Sequence, residues 1–176
     1  MAKREALKDL QNRLAERFES ARNSPISVAW LAILVDSRHY LLPLKQSGEI
    51  FPLATITHVP YAAVWFAGVV NLRGGLYGVV DLAGFMAGHL AHVRSEQSWS
   101  ETSLITFNPE LDINCALLVD GLAGLRRADA FSGMQPAPPG VPSYLGPCYL
   151  DAQGLQWQEL DMHLLSQSPD FLNIGA

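Results

Sequence analysis

The chain has 176 residues, which suits one domain or two small subdomains that share a core. It is 49% hydrophobic but only 16% charged, a balance that favours exposed apolar surface and therefore a protein partner. The first 22 residues carry six basic and four acidic side chains, so the net charge of −5 belongs to an acidic body. Such a body repels phosphate backbones and anionic membrane surfaces, which argues against nucleic acid as a partner.

Cysteine content and apolar runs indicate the compartment. A disulfide between Cys115 and Cys148 is arithmetically possible, but two reduced thiols in the cytoplasm is the simpler interpretation. The longest apolar run, residues 28–35, has eight residues, whereas a membrane-spanning helix needs roughly 20. The charged N-terminus lacks the apolar core of a signal peptide. We therefore expect a cytoplasmic protein with no direct membrane insertion.

Residues 3–21 predict an amphipathic helix, because apolar side chains recur there at steps of three and four. This stripe consists of Leu7, Leu10, Leu14 and Phe18. Pro25 predicts the end of the helix, since the residue before a proline avoids helical geometry. A lone helix of this length is marginal in water, so it packs either on its own body or on a partner, and the sequence leaves both open.

Strand-like segments fill the rest of the chain. The first set covers residues 26–36, 39–44, 49–60, 63–72 and 76–82, followed by a short helix at 82–90 and a polar loop at 92–102. The second set covers residues 103–107, 113–120, 121–127, 144–151 and 155–161, with a proline-rich linker or long loop at 132–143 and a short helix from 162. Many short strands with Gly and Pro turns favour small barrels or a sandwich.

The residue pattern offers little for catalysis. There is no nucleophile elbow, phosphate-binding loop, dinucleotide fingerprint or Cys-x-x-Cys. His89 and His92 have the spacing of a metal pair, but no third ligand is evident, so we interpret them as solvated. Asp81 and Asp120 each end an apolar Val-Asp strand, a position typical of helix capping. We expect no enzymatic activity, metal or cofactor.

Arginines supply the candidate contacts. Arg73 lies in a glycine turn between two apolar strands, and its charge needs an anionic partner if it is buried. The residues alone leave Asp81 and Glu49 open as that partner, and a direct contact with another protein is compatible with either. The pair Arg126-Arg127 is interpreted as a solvated surface pair, with contact to an acidic partner as the alternative.

The order of these motifs resembles the CheW family of chemotaxis coupling proteins. The most specific match is "GVVNLRGGLYGVVDLAGFM" at 68–86, which is similar to the family signature of Gly-Val-x-Asn-Leu-Arg-Gly followed by a strand ending in Asp-Leu. Supporting matches are the first hairpin at 28–44, "CALLVDGLAGL" at 115–125 and the final hairpin and helix at 144–165. The added N-terminal helix resembles the branch of the family in type IV pilus systems.

The resemblance implies a mainly β fold of two small five-stranded SH3-like β-barrels packed together, with an added N-terminal α-helix and a short C-terminal helix. The expected domains are the N-terminal helix at 1–24, the CheW-like domain at 25–168 and a tail at 169–176. The implied function is a non-enzymatic adaptor in a chemosensory pathway that controls type IV pilus twitching motility. Its implied partners are the cytoplasmic domain of a methyl-accepting chemotaxis receptor and the regulatory domain of a CheA-type histidine kinase.

The resemblance also implies where these partners bind. A receptor groove is expected near Asn71, Leu72, Arg73 and Val35, with apolar side chains supplying most of the binding energy. The signature Arg pairs with an upstream Glu in the family, which favours Glu49 over Asp81 as the partner of Arg73. The alternative to an adaptor is a small-molecule-binding β-barrel, which predicts a closed internal pocket lined by polar groups.

Overall fold

The structure is a computed structural model that describes residues 2–22, 29–88 and 93–175. The helices are α1 (Ala2–Arg22), α2 (Leu82–Met86), α3 (Glu96–Trp99), α4 (Met162–Gln167) and α5 (Pro169–Leu172). The strands are β1 (Ala29–Val35), β2 (Arg38–Pro43), β3 (Ser47–Pro52), β4 (Phe66–Leu72), β5 (Gly75–Asp81), β6 (Ser103–Phe107), β7 (Cys115–Val119), β8 (Gly121–Arg127), β9 (Phe131–Gln135), β10 (Leu145–Asp151) and β11 (Gln156–Leu160). This confirms a mainly β fold with an N-terminal helix and short C-terminal helices.

The first sheet has six strands in the order β8-β1-β2-β11-β10-β9, one more than the five expected. Four strand spacings separate β1 from β9, which is roughly 19 Å across a flat sheet. The ring centroids of Trp30 on β1 and Phe131 on β9 are nevertheless 5.8 Å apart. The sheet therefore curls on itself, and aromatic side chains fill its interior.

The second sheet has five strands in the order β3-β6-β7-β5-β4. Strands β5 and β7 run parallel, with Asp81 opposite Leu118 in the register. A buried apolar cluster that includes Val70, Leu72 and Leu104 lies on one face of this sheet. The strand count agrees with the five expected for each barrel.

The two sheets share one large apolar core. Leu31 and Ile33 from the first sheet and Ile105 and Leu117 from the second belong to the same buried cluster. Trp65 lies fully buried in it, since its ring packs against aromatic neighbours. These neighbours are Phe85, at 5.0 Å between centroids, and Phe171 of α5, at 6.4 Å. Residues 169–175, assigned to the tail by the sequence, thus contribute Phe171 to the core.

Two segments differ from the sequence expectation. Residues 131–135, which overlap the start of the segment at 132–143 predicted as a linker or loop, form β9, whose backbone pairs with β10 while most of its side chains stay exposed. Apolar periodicity cannot reveal such a strand, because an edge strand needs little burial on either face. Residues 96–99, predicted as a loop, form α3, where the Ser95 hydroxyl accepts a hydrogen bond from the Ser98 amide as N-cap.

Candidate functional site

The turn between β4 and β5 holds the predicted receptor-binding residues. Leu72 pairs with Gly75, which leaves Arg73 and Gly74 as a two-residue hairpin loop. Both have positive φ, 48° and 85°, the geometry of a type I′ turn. The side-chain oxygen of Asn71 accepts a hydrogen bond from the Gly74 amide at 3.0 Å and so fixes the loop. The turn projects the Arg73 side chain outward.

Arg73 lies against strand β3. Its guanidinium nitrogen is 2.5 Å from a Glu49 carboxylate oxygen, and its guanidinium carbon lies 5.4 Å from the centre of the Phe51 ring. Strands β3 and β4 are the opposite edges of the second sheet, so this pair brings the two edges together. The Arg73 side chain is 75% exposed and the Glu49 side chain 40% exposed. We call Asn71, Arg73, Glu49 and Phe51 the Arg73 corner.

The four residues predicted for the receptor groove have different environments. Asn71 and Arg73 are exposed at the corner, and Leu76, opposite Asn71 in the hairpin, is 62% exposed beside them. Leu72 is buried in the apolar cluster of the second sheet. Val35 is buried in the central core and lines a small cavity with Ala83 and Met86. Surface for a partner at the turn therefore comes from Asn71 and Arg73, which were predicted, and from Leu76, which was not. Leu76 was missed because alternation along a strand gave it no role.

A buried ion cluster lies elsewhere, at the ends of β5 and β7. The guanidinium of Arg94 donates to both carboxylate oxygens of Asp81, at 2.7 and 2.8 Å, and to Asp120 at 2.5 Å. The Arg94 side chain is only 2% exposed. Burial alone lowers the pKa of Arg94, but hydrogen bonds and charges from Asp81 and Asp120 raise it above its ordinary value. Arg94 is thus a buried cation that needs carboxylate partners within the protein, whereas Arg73 is largely exposed and does not.

The structure corrects the capping role predicted for the two aspartates. Asp81 occupies the N-cap position of α2, but its side chain makes no capping hydrogen bond because both oxygens face Arg94. Asp120 precedes strand β8 rather than a helix, and its other oxygen accepts from the Asp36 amide at 2.6 Å. Asp161 does cap α4, since its carboxylate accepts from the Leu164 amide.

The possible metal ligands and the thiols among the described residues provide, by their positions, neither a metal cluster nor a disulfide. Across residues 2–22, 29–88 and 93–175, no cluster of three or more His, Cys, Asp or Glu is placed to hold a metal ion. His89 and His92 lie outside the described residues. Both cysteines are free, and burial raises the pKa of Cys115 to about 12, which keeps that thiol protonated. Within the described segments, no helix is both long and apolar enough to cross a bilayer.

Comparisons with known proteins agree with this architecture. The family model described as CheW-like domain matches residues 29–170. Protein PilI of Pseudomonas aeruginosa (strain PAO1) is 24% identical over 167 residues, which covers 93% of this chain and 89% of that protein. The crystal structure of the scaffolding protein TtCheW from Thermoanaerobacter tengcongensis shares the fold, with a TM-score of 0.67 and 15% identity over 85% of this chain and 98% of that one. Because the family model spans most of its length, the chain belongs to the CheW-like domain family.

Proposed function

We propose that this chain is a non-enzymatic adaptor that couples the cytoplasmic tip of a methyl-accepting chemotaxis receptor to the regulatory domain of a CheA-type histidine kinase. Family membership supports the adaptor role, and the relative described as a scaffolding protein has the same fold. The adaptor would work in the cytoplasm, at arrays of membrane-bound receptors. Similarity to Protein PilI supports a place in a pathway that controls type IV pilus twitching motility.

One observation carries the receptor site: Arg73 occupies a turn position that disfavours it. A non-glycine residue at positive φ costs about 1 kcal/mol or more, and Asn or Gly is the usual choice there. The exposed pair with Glu49 and the contact with the Phe51 ring each return about 1 kcal/mol at most, which offsets that cost without a clear net gain. A residue that breaks a local rule without a gain in stability is expected at a functional site. We therefore assign Arg73 to receptor binding, with Glu49 holding its guanidinium in place.

Substitutions at the Arg73 corner test this assignment. A receptor cytoplasmic fragment from the same genome is titrated into wild type, Arg73→Ala and Glu49→Ala by calorimetry. We expect Arg73→Ala to weaken binding at least about tenfold, equal to about 1.4 kcal/mol, with little change in thermal stability. Glu49→Ala should weaken binding less, because the guanidinium remains but is no longer oriented. Lys45→Ala, at an exposed position with a positive charge, is the control for net charge.

Wild-type affinity in Arg73→Ala would rule out this corner as the receptor site. Absence of receptor and kinase binding by the folded wild-type protein would instead rule out the adaptor function. The alternative, a small-molecule-binding barrel, requires an internal pocket. The interiors of both curled sheets are filled by side chains, among them Trp30, Trp157 and Val70, so no observation favours that alternative.

A further inference from the structure

Helix α1 presents one side to the body of the protein. Over residues 5–20, the partly or fully buried positions are Leu7, Gln11, Leu14, Ala15 and Phe18, at the spacing of one helical face. Phe18 is 1% exposed and belongs to the central core, whereas Leu10 is 58% exposed. The helix is therefore held chiefly by one deeply inserted aromatic side chain near its C-terminal end.

The surface under α1 is a seam between the two sheets. The helix contacts β3 of the second sheet and β8 of the first. The Gln11 amide also donates to the Ser103 hydroxyl on β6 at 3.3 Å. Strand β3 carries Glu49 and Phe51, so the strand that α1 covers is also part of the Arg73 corner.

Packing along the seam is incomplete on both sides of α1. A groove of about 590 Å³ lies between the helix and the segment that holds α3, lined by Leu7, Leu53 and Trp99 among others. A second groove of about 930 Å³ separates the helix from β8, where Arg126 and Arg127 line it. An isolated helix of this length is marginal in water, and loose flanks add little to its stability. The helix thus occupies a surface that accepts helices, and its attachment depends mainly on the Phe18 side chain.

From these contacts we infer that α1 is an internal competitor for a helix-binding seam, and that a helix of the receptor tip binds there by displacing it. The inference rests on the proposed receptor-coupling function. A suitable helix is amphipathic, carries a large apolar anchor in place of Phe18, and bears acidic side chains toward Arg126 and Arg127. Because only the molecules with α1 released bind, the apparent affinity equals the intrinsic affinity multiplied by the fraction of molecules in which α1 is released.

Three full-length variants test the competition, with a receptor cytoplasmic fragment as the probe. Phe18→Ala removes the anchor and should bind the fragment at least about tenfold tighter than wild type, as expected if the seam is open in one wild-type molecule in ten or fewer. Asn12→Ala, on the exposed side of α1, is the matched control and should bind like wild type. Gln11→Cys with Ser103→Cys, in a Cys148→Ser background, is joined by a bifunctional thiol linker that a reductant cleaves, because the Gln11–Ser103 contact spans a long side chain and is too wide for a direct disulfide. The linked protein holds α1 in place and should bind at least tenfold more weakly until the linker is cleaved.

A second readout covers the case in which Phe18→Ala loses its fold. In wild type, the receptor fragment should speed hydrogen exchange of the α1 amides while the amides of β1 and β7 stay protected. Weaker or unchanged binding by folded Phe18→Ala, equal binding by the linked and cleaved forms of the cross-linked variant, or greater protection of α1 in the complex would each overturn the inference. Equal binding by all variants leaves the adaptor function intact, whereas binding by none removes both.

Discussion

Arg94 and Asp81 form a two-point ion pair in which both terminal nitrogens of the guanidinium donate to both oxygens of the carboxylate, at 2.8 and 2.7 Å. Asp120 accepts from the remaining guanidinium nitrogen and also from the Asp36 amide in the β1–β2 turn. The cluster therefore joins the ends of two parallel strands of the second sheet to a hairpin of the first. This small polar centre fixes how the two curled sheets meet.

Arg94→Met should lower the free energy of unfolding by about 3–5 kcal/mol, because it leaves Asp81 and Asp120 facing each other without a cation. Urea unfolding at pH 7 measures the loss. Arg73→Met, which removes a 75% exposed arginine, is the matched control and should cost less than about 1 kcal/mol. Equal, small losses at the two arginines would contradict a structural role for the cluster.

Arg73→Asn should leave the free energy of unfolding unchanged or raise it by up to about 1 kcal/mol. Asn tolerates the positive φ of this turn position, and the ion pair that is lost is exposed. Arg73→Val removes the same charge but places a β-branched residue at φ 48°, so it should cost about 1–2 kcal/mol. Denaturant midpoints compare the two. A clear loss in Arg73→Asn would show that Arg73 stabilises the fold and would weaken its assignment to binding.

Gly68→Ala should lower the free energy of unfolding by about 2–3 kcal/mol. Gly68 has φ 136°, and a Cβ there would lie 2.2 Å from the Thr57 carbonyl oxygen. The clash would push β4 away from Thr57, whose backbone pairs with that of Val69 on β4. Gly133→Ala on β9 is the control, since no atom lies within 4 Å of its added Cβ, and it should change stability by less than about 0.5 kcal/mol. Similar thermal midpoints for the two variants would contradict this account.

Glu159→Gln should stabilise the protein at neutral pH. Burial raises the pKa of Glu159 above its ordinary 4.5, although its carboxylate accepts a hydrogen bond from the Trp30 indole at 2.8 Å. A carboxyl whose pKa is raised in the folded state contributes stability when the pH is below its ordinary pKa. That contribution is lost as the pH rises through the pKa of the folded state. Gln keeps an acceptor for Trp30 without the charge, so its advantage should be present at pH 7 and absent below pH 4.5. A less stable Glu159→Gln at pH 7 would contradict this sign.

Local patterns in the sequence were sufficient for most of the helices and strands, whereas the two-barrel arrangement was expected from the family resemblance. A glycine turn at Arg73 follows from glycines between apolar strands, although the structure shortens it to two residues, and α1 follows from its stripe of Leu and Phe. Strand β9 did not follow, because its residues gain backbone hydrogen bonds to β10 rather than buried area. Pairing across a sheet depends on distant residues, and the pattern within one strand does not record it.

The candidate site was less accessible from the sequence. Glu49 was favoured as the partner of Arg73 through family resemblance, and the structure places the two 2.5 Å apart; their roles in binding stay predictions. Arg94 was missed because it stands among Ser, Glu and Gln in a segment with the composition of a solvated loop. The available signal was the repeated Val-Asp strand ending at Asp81 and Asp120, two carboxylates that need a shared cation once parallel pairing brings them together.

The most direct test of the account is assembly of three purified proteins: this chain, a receptor cytoplasmic fragment and the kinase regulatory domain from the same genome. Size-exclusion chromatography with light scattering measures the mass of the complexes. The proposed adaptor function predicts a complex that contains all three proteins and no receptor–kinase complex when this chain is left out. Arg73→Ala should reduce the amount of the three-protein complex. A folded wild-type chain that elutes alone, without receptor or kinase, would contradict it.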